Sequence, residues 1–92
     1  MEEIAADIRK NLDNRPFDGS LKFDCGADGV IVLADGTAST EDRDTDCTLR
    51  LSPENLTKLL TGKLNPATAV MMGKIKLSGD MGVALKLSKL IG

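Results

Sequence analysis

Cys25, Cys47 and the run Glu41-Asp42-Arg43-Asp44-Thr45-Asp46 are the side chains whose types and spacing could do chemistry in this 92-residue chain. Two thiolates could bind a soft metal, but a four-ligand zinc site would need carboxylate help, since the chain has no histidine. That same lack removes Ser-His and Cys-His nucleophilic pairs. Aspartates at 42, 44 and 46 alternate as an EF-hand loop begins. With Asp42 as the first position, the sixth falls on Cys47 instead of glycine and the twelfth on Pro53 instead of glutamate, so the calcium reading fails. A solvated loop between strands accounts for the run. No GxGxxG or GxxxxGK[ST] stretch indicates dinucleotide or phosphate binding. The residues call for no cofactor, no metal and no catalysis. The two cysteines read as small core residues of a reduced, cytoplasmic protein.

The elements that position these residues follow from periodicity. Ile4, Ala5, Ile8 and Leu12 recur at spacings of three and four, which predicts a helix over 2–13 stopped by Arg15-Pro16. From Gly19 the period becomes two: Leu21, Phe23 and Cys25 alternate with Lys22 and Asp24, a strand with one buried face. Asp28-Gly29 and Asp35-Gly36 read as hairpin turns. Between them Val30–Leu33 is apolar on both faces, which predicts a central strand, with a short edge strand over 37–40. Cys47, Leu49 and Leu51 mark a further strand, so both cysteines fall on inward-facing sets.

Ser52-Pro53-Glu54 opens a helix that turns Leu56, Leu59 and Leu60 inward and ends at Gly62. Asn65-Pro66 repeats that start for a short helix, 66–72, closed by Gly73. Residues 74–78 predict a strand with Ile75 and Leu77 on one face. Gly79 turns the chain and Asp80 caps a last helix, 81–91. The order is helix, four antiparallel-looking strands, two helices, strand, helix: an α+β domain spanning 1–92 with its helices on one face of a sheet.

Composition narrows the function. Phe17 and Phe23 are the only aromatic residues, so no stacking platform for single-stranded nucleic acid exists, and a net charge of −2 is unsuited to general polyanion binding. Charge is unevenly placed. Residues 1–57 carry six basic and thirteen acidic side chains, a net of −7, and residues 58–92 carry six lysines against Asp80, a net of +5. The basic half is either a solvated surface or a face for an anionic membrane or head group. The acidic start, MEEIAADIRK, does not read as a signal peptide, and no apolar run approaches the roughly 20 residues of a bilayer span.

The last helix is more apolar than a surface helix requires. Met81, Val83, Ala84, Leu85, Leu87, Leu90 and Ile91 cover an arc of roughly 220°, where a stripe of about 100° suffices. Full burial, a dimer seam and a cavity wall all fit such an arc. Val70, Met71 and Met72 lie just upstream, and methionine reshapes itself around varied partners.

Three stretches then resemble the sterol carrier protein type 2 domain family: Asp46-Cys47-Thr48-Leu49-Arg50-Leu51-Ser52, Leu60-Thr61-Gly62-Lys63-Leu64-Asn65-Pro66, and Gly73-Lys74-Ile75-Lys76-Leu77-Ser78-Gly79-Asp80-Met81-Gly82. The resemblance implies a five-stranded, mostly antiparallel sheet with helices on one face and an apolar tunnel between the sheet and the C-terminal helices. It implies an intracellular carrier of a fatty acid, fatty acyl-CoA, sterol-like lipid or phospholipid, acting as a monomer or weak dimer. Expected lining residues are Leu49, Leu56, Leu60, Val70, Met71, Leu77, Met81, Ala84 and Leu85, with Lys63, Lys74, Lys86 or Lys89 near an anionic head group. Many members carry two phenylalanines where this chain has Val70 and Met71, so a sterol preference does not transfer. The chain also stops soon after the last helix, without a peroxisomal signal, which resembles a stand-alone prokaryotic member. The competing reading is a non-catalytic accessory module that docks on a partner, or on itself, through the apolar C-terminal helix, one use of which is to present a lipid to a separate enzyme.

Overall fold

A computed structural model describes residues 2–14, 17 and 19–91, with side chains over 2–13, 17 and 19–86. Helix α1 (Glu2–Asn14) turns Ala5, Ile8 and Leu12 into the core. Arg9 fastens it to the sheet by donating its Nε–H to the Ala38 carbonyl at 2.7 Å. The stop expected at Arg15-Pro16 lies outside the described residues.

Five strands follow the alternation: β1 (Leu21–Asp24), β2 (Val30–Ala34), β3 (Thr37–Ser39), β4 (Cys47–Arg50) and β5 (Lys76–Gly79), in the sheet order β3-β2-β1-β4-β5. One pairing departs from expectation. β1 and β4 run parallel, Leu21 opposite Cys47 and Phe23 opposite Leu49, whereas the other three pairs are antiparallel. Alternation reports which face a side chain takes and carries no strand direction, so the parallel pair was not visible in the pattern.

The parallel pair requires residues 40–46 to carry the chain from edge strand β3 past β2 and β1 to β4. Three strand spacings are about 14 Å, and seven extended residues reach about 24 Å, so the crossing is direct. It runs over the face opposite the helices, where Lys22 Nζ meets Asp42 Oδ1 at 2.6 Å and Val32 is buried at 2% exposure. The expected solvated loop is therefore also a cover for the second face of the sheet.

Turns obey their residues. Asp35 (φ 55°) and Gly36 (φ 76°) form the two-residue hairpin between β2 and β3. Asp28-Gly29 instead closes a five-residue loop with a 3-10 turn at Gly26–Asp28, in which Cys25 N–H donates to the Gly29 carbonyl at 2.9 Å. Helix α2 (Pro53–Leu60) is capped by Ser52, whose Oγ accepts from Asn55 N–H. Helices α3 (Pro66–Met71) and α4 (Met81–Ile91) complete the helical layer. One core joins Ala5, Ile8, Leu21, Phe23, Ile31, Leu33, Leu49, Leu56, Leu59 and Val83 with both cysteines.

Two predictions follow from this architecture. Gly79 sits at φ +98°, and a Cβ there would collide with the Asp46 carbonyl oxygen and stand 3.1 Å from Cys47 Cα. Gly79→Ala should lower stability by about 2 kcal/mol or more, read as a shift in the urea midpoint. Gly36→Ala, which meets open space, should lose only about 1 kcal/mol from its left-handed backbone. Burial, then neighbouring carboxylates, pushes both thiols above their ordinary 9.0: Asp28 and Asp24 for Cys25, Asp80 for Cys47. As pH rises past 9.0 the unfolded chain loses these protons before the folded one. The stability of wild type relative to Cys25→Ala/Cys47→Ala should be constant from pH 7 to 8.5 and fall above pH 9, by urea titration.

Candidate functional site

Three local devices build one apolar space over the β4–β5 side of the sheet. Asn65 Oδ1 accepts from the backbone N–H groups of Ala67 (2.9 Å) and Thr68 (3.2 Å), starting α3 at Pro66. The helix is closed by Gly73 N–H to the Val70 carbonyl (3.1 Å) and Lys74 N–H to the Ala69 carbonyl (2.9 Å), the paired bonds of a Schellman end. Ile75 N–H also turns back to Ala69, which is why β5 begins at Lys76 and not at the expected Lys74. Asp80 Oδ1 accepts from Gly82 N–H at 2.8 Å and starts α4.

Between these elements lies a cavity of about 390 Å³. Leu49 of β4, Leu77 of β5 and Ile75 just before β5 form its floor. Pro66, Ala67, Val70 and Met71 of α3 form one wall, and Met81, Ala84 and Leu85 of α4 form the other. Among the described residues Asn65 contributes the one polar side chain of the lining, and its Oδ1 is already engaged in the cap. The space is open to solvent at a rim where Met71 is 88% exposed, Met81 60% and Leu85 66%. The resemblance implies a tunnel; the described residues enclose an apolar cavity that opens to solvent at this rim. Two other depressions, about 140 and 130 Å³, lie under the 40–46 crossing and between α1 and α2.

Of the nine expected lining residues, the structure brings seven to this cavity: Leu49, Val70, Met71, Leu77, Met81, Ala84 and Leu85. Leu56 is fully buried in the core instead, and Leu60 faces the small depression beside Ile4 and Ile8. Both belong to α2, whose apolar stripe meets the sheet and α1; helical spacing alone does not say which partner a stripe meets. Asn65, Pro66, Ala67 and Ile75 line the cavity without having been expected there. For Asn65, Pro66 and Ala67 the sequence signal, a helix start, speaks of backbone geometry only, whereas Ile75 shares with Leu77 the strand face that could have pointed to it. Lys63 and Lys74 are exposed and Lys86 is half-buried; the side chains of Lys89, Leu87, Leu90 and Ile91 lie outside the described residues. No helix among the described residues is long and apolar enough to cross a membrane, and no cluster of three or more His, Cys, Asp or Glu there could hold a metal ion.

Comparison with known proteins agrees with this architecture. A family model described as the SCP-2 sterol transfer family matches residues 1–92. Sterol carrier protein 2 of Gallus gallus is 47% identical over 64 residues, which are 66% of this chain and 12% of the chicken protein. This chain therefore corresponds to a small part of that relative. The sterol carrier protein domain 2 of Helicoverpa armigera superposes with a TM-score of 0.72 at 28% identity, covering 96% of this chain and 82% of that one. Sterol carrier protein 2 of Aedes aegypti, solved in complex with the C16 fatty acid palmitate, gives a TM-score of 0.80 at 22% identity, covering 99% and 93%. With the family model spanning its whole length, the chain belongs to the SCP-2 sterol transfer family.

Proposed function

We propose that the protein is a lipid carrier that holds an acyl chain in the cavity between α3, α4 and the β4–β5 side of the sheet. One observation carries this: the cavity is large and almost wholly apolar. Water cannot satisfy its hydrogen bonds against Leu49, Val70, Ile75 and Leu77, and an apolar cavity of about 150 Å³ already prefers benzene to water. At about 390 Å³ this one is within the size range of ligand sites. The palmitate bound by the mosquito relative supports an acyl ligand.

Each methylene moved from water into the cavity contributes about 0.8 kcal/mol, so a long chain is held by the sum of many small terms. A bilayer offers the same term, so loading and unloading run close to balance. The polar head group stays at the open rim, and delivery needs transient contact with a membrane surface. The ligand is a fatty acid, an acyl-CoA or a phospholipid chain; Val70 and Met71 shape the wall for a flexible chain. No residue is assigned a catalytic role in a chain without histidine. The free, buried Cys25 and Cys47 suit a reducing compartment, the cytoplasm.

Ala84→Phe should obstruct the cavity from the α4 wall. Displacing even two methylenes costs about 1.6 kcal/mol, so affinity for a fluorescent fatty acid on delipidated protein should drop about tenfold. A variant that folds as wild type and binds equally well contradicts the assignment of the cavity. An obligate dimer that takes up no acyl lipid would favour docking through the C-terminal helix instead.

A further inference from the structure

Met71, Met72 and Met81 are three of the chain's four methionines, and all three are exposed, at 88%, 63% and 60%. Met71 and Met81 line different walls of the cavity, whereas Met72, the C-cap of α3, is not part of the lining. Among the described residues no methionine enters the buried core. The other sulfur atoms belong to Cys25 and Cys47, both free and buried. Burial first, and nearby carboxylates second, keep these thiols protonated, and the thiolate is the form that an oxidant attacks. Among the described residues the sulfurs open to a water-borne oxidant are therefore thioethers, and two of them stand in the walls of the ligand site.

From these placements, and resting on the lipid-carrier reading, we infer that Met71 and Met81 are sites of reversible oxidation by a hydroperoxide, and that their sulfoxides lower the cavity's affinity for an acyl chain without unfolding the protein. A lone pair of the thioether sulfur attacks one peroxide oxygen, and an S–O bond forms as the O–O bond breaks. The sulfur is oxidised by two electrons and the peroxide is reduced. With hydrogen peroxide, the proton on the transferred oxygen passes to the departing hydroxide, which leaves as water. Methionine sulfoxide reductases reverse the step, two thiols becoming a disulfide as the sulfoxide oxygen leaves as water. The sulfoxide is polar where the lining, Asn65 apart, is apolar, so it turns to solvent and withdraws its part of the wall from the ligand. The core contains none of these three side chains, so the fold does not depend on them. A bound acyl chain lies against Met71 and Met81 and not against Met72. Oxidation therefore selects the empty carrier, and Met72 is an internal reference for it.

Delipidated protein treated with hydrogen peroxide, with and without palmitate, tests this by peptide mass spectrometry. Trypsin releases Met71 and Met72 in residues 64–74 and Met81 in residues 77–86, and fragment ions separate the first two. Palmitate should slow oxidation of Met71 and Met81 several-fold and leave the rate at Met72 unchanged. Oxidised protein should bind palmitate about tenfold more weakly, keep its urea midpoint, and recover its affinity on treatment with methionine sulfoxide reductases A and B and dithiothreitol. Met72→Leu should lose affinity on oxidation as wild type does. Met71→Leu/Met81→Leu should have the same affinity before and after peroxide, whatever that affinity is. The proposal is overturned if oxidised wild type binds palmitate within about twofold of the untreated protein. It is equally overturned if Met71→Leu/Met81→Leu loses affinity on treatment, if the urea midpoint falls with the affinity, or if palmitate protects all three methionines alike. Untreated protein that takes up no palmitate overturns the carrier reading itself, and the proposal with it.

Discussion

Asp46 joins three strands at one corner of the sheet, and the placement of α4 depends on that junction. Its N–H donates to Ser20 Oγ at 2.8 Å and its Oδ2 accepts from Ser20 N–H at 3.3 Å, which locks the start of β4 beside the start of β1. Its carbonyl accepts from Asp80 N–H at 2.8 Å, which holds the end of β5 and the start of α4. The approach at Gly79 is so close that only a residue without Cβ fits. From that point α4 runs back over the sheet, sinks Val83 into the core and leaves Met81 and Leu85 at the rim. The cavity lies between the start of α4, which that junction fixes, and α3.

A chain of 92 residues buries only about 60–65% of its unfolded surface, so an unfilled space of about 390 Å³ is a large sacrifice of packing. The structure offsets it elsewhere. The core of Ile8, Leu21, Phe23, Ile31, Leu33, Leu56 and Leu59 is closed at the α1–α2 end, and the 40–46 crossing covers Val32 and Ala34 on the far face without a second helical layer. Packing is therefore divided, with a filled half under α1 and α2 and an open half under α3 and α4. Among the described side chains of the last helix, Val83 contributes to the core, whereas Met81 and Leu85 are exposed at the open half.

Much of this was legible in the chain. Ser52-Pro53, Asn65-Pro66 and Asp80 each announce a helix start through a local hydrogen bond, so the helices fall where they were expected. The alternation in Leu21-Lys22-Phe23 and Cys47-Thr48-Leu49 settles which side chains face inward. Long-range pairing was not legible. Nothing in the period-two pattern distinguishes a parallel β1–β4 ladder from an antiparallel one, nor does the acidic run 41–46 show that Lys22 draws it across the sheet. The same limit separates Leu56 and Leu60 from Val70 and Met71. All four lie on apolar helical faces, and only the packing of α2 puts Leu56 in the core and Leu60 in the depression beside α1.

The account depends on whether a lipid enters between α3 and α4. Methionine methyl groups labelled with carbon-13 test this directly, since the chain has four methionines and two of them, Met71 and Met81, line the cavity. On titrating delipidated protein with palmitate, the Met71 and Met81 methyl resonances should move and saturate together, with Met72 moving less. Saturable palmitate binding that leaves Met71 and Met81 where they are in the free protein would place the ligand elsewhere and contradict the account.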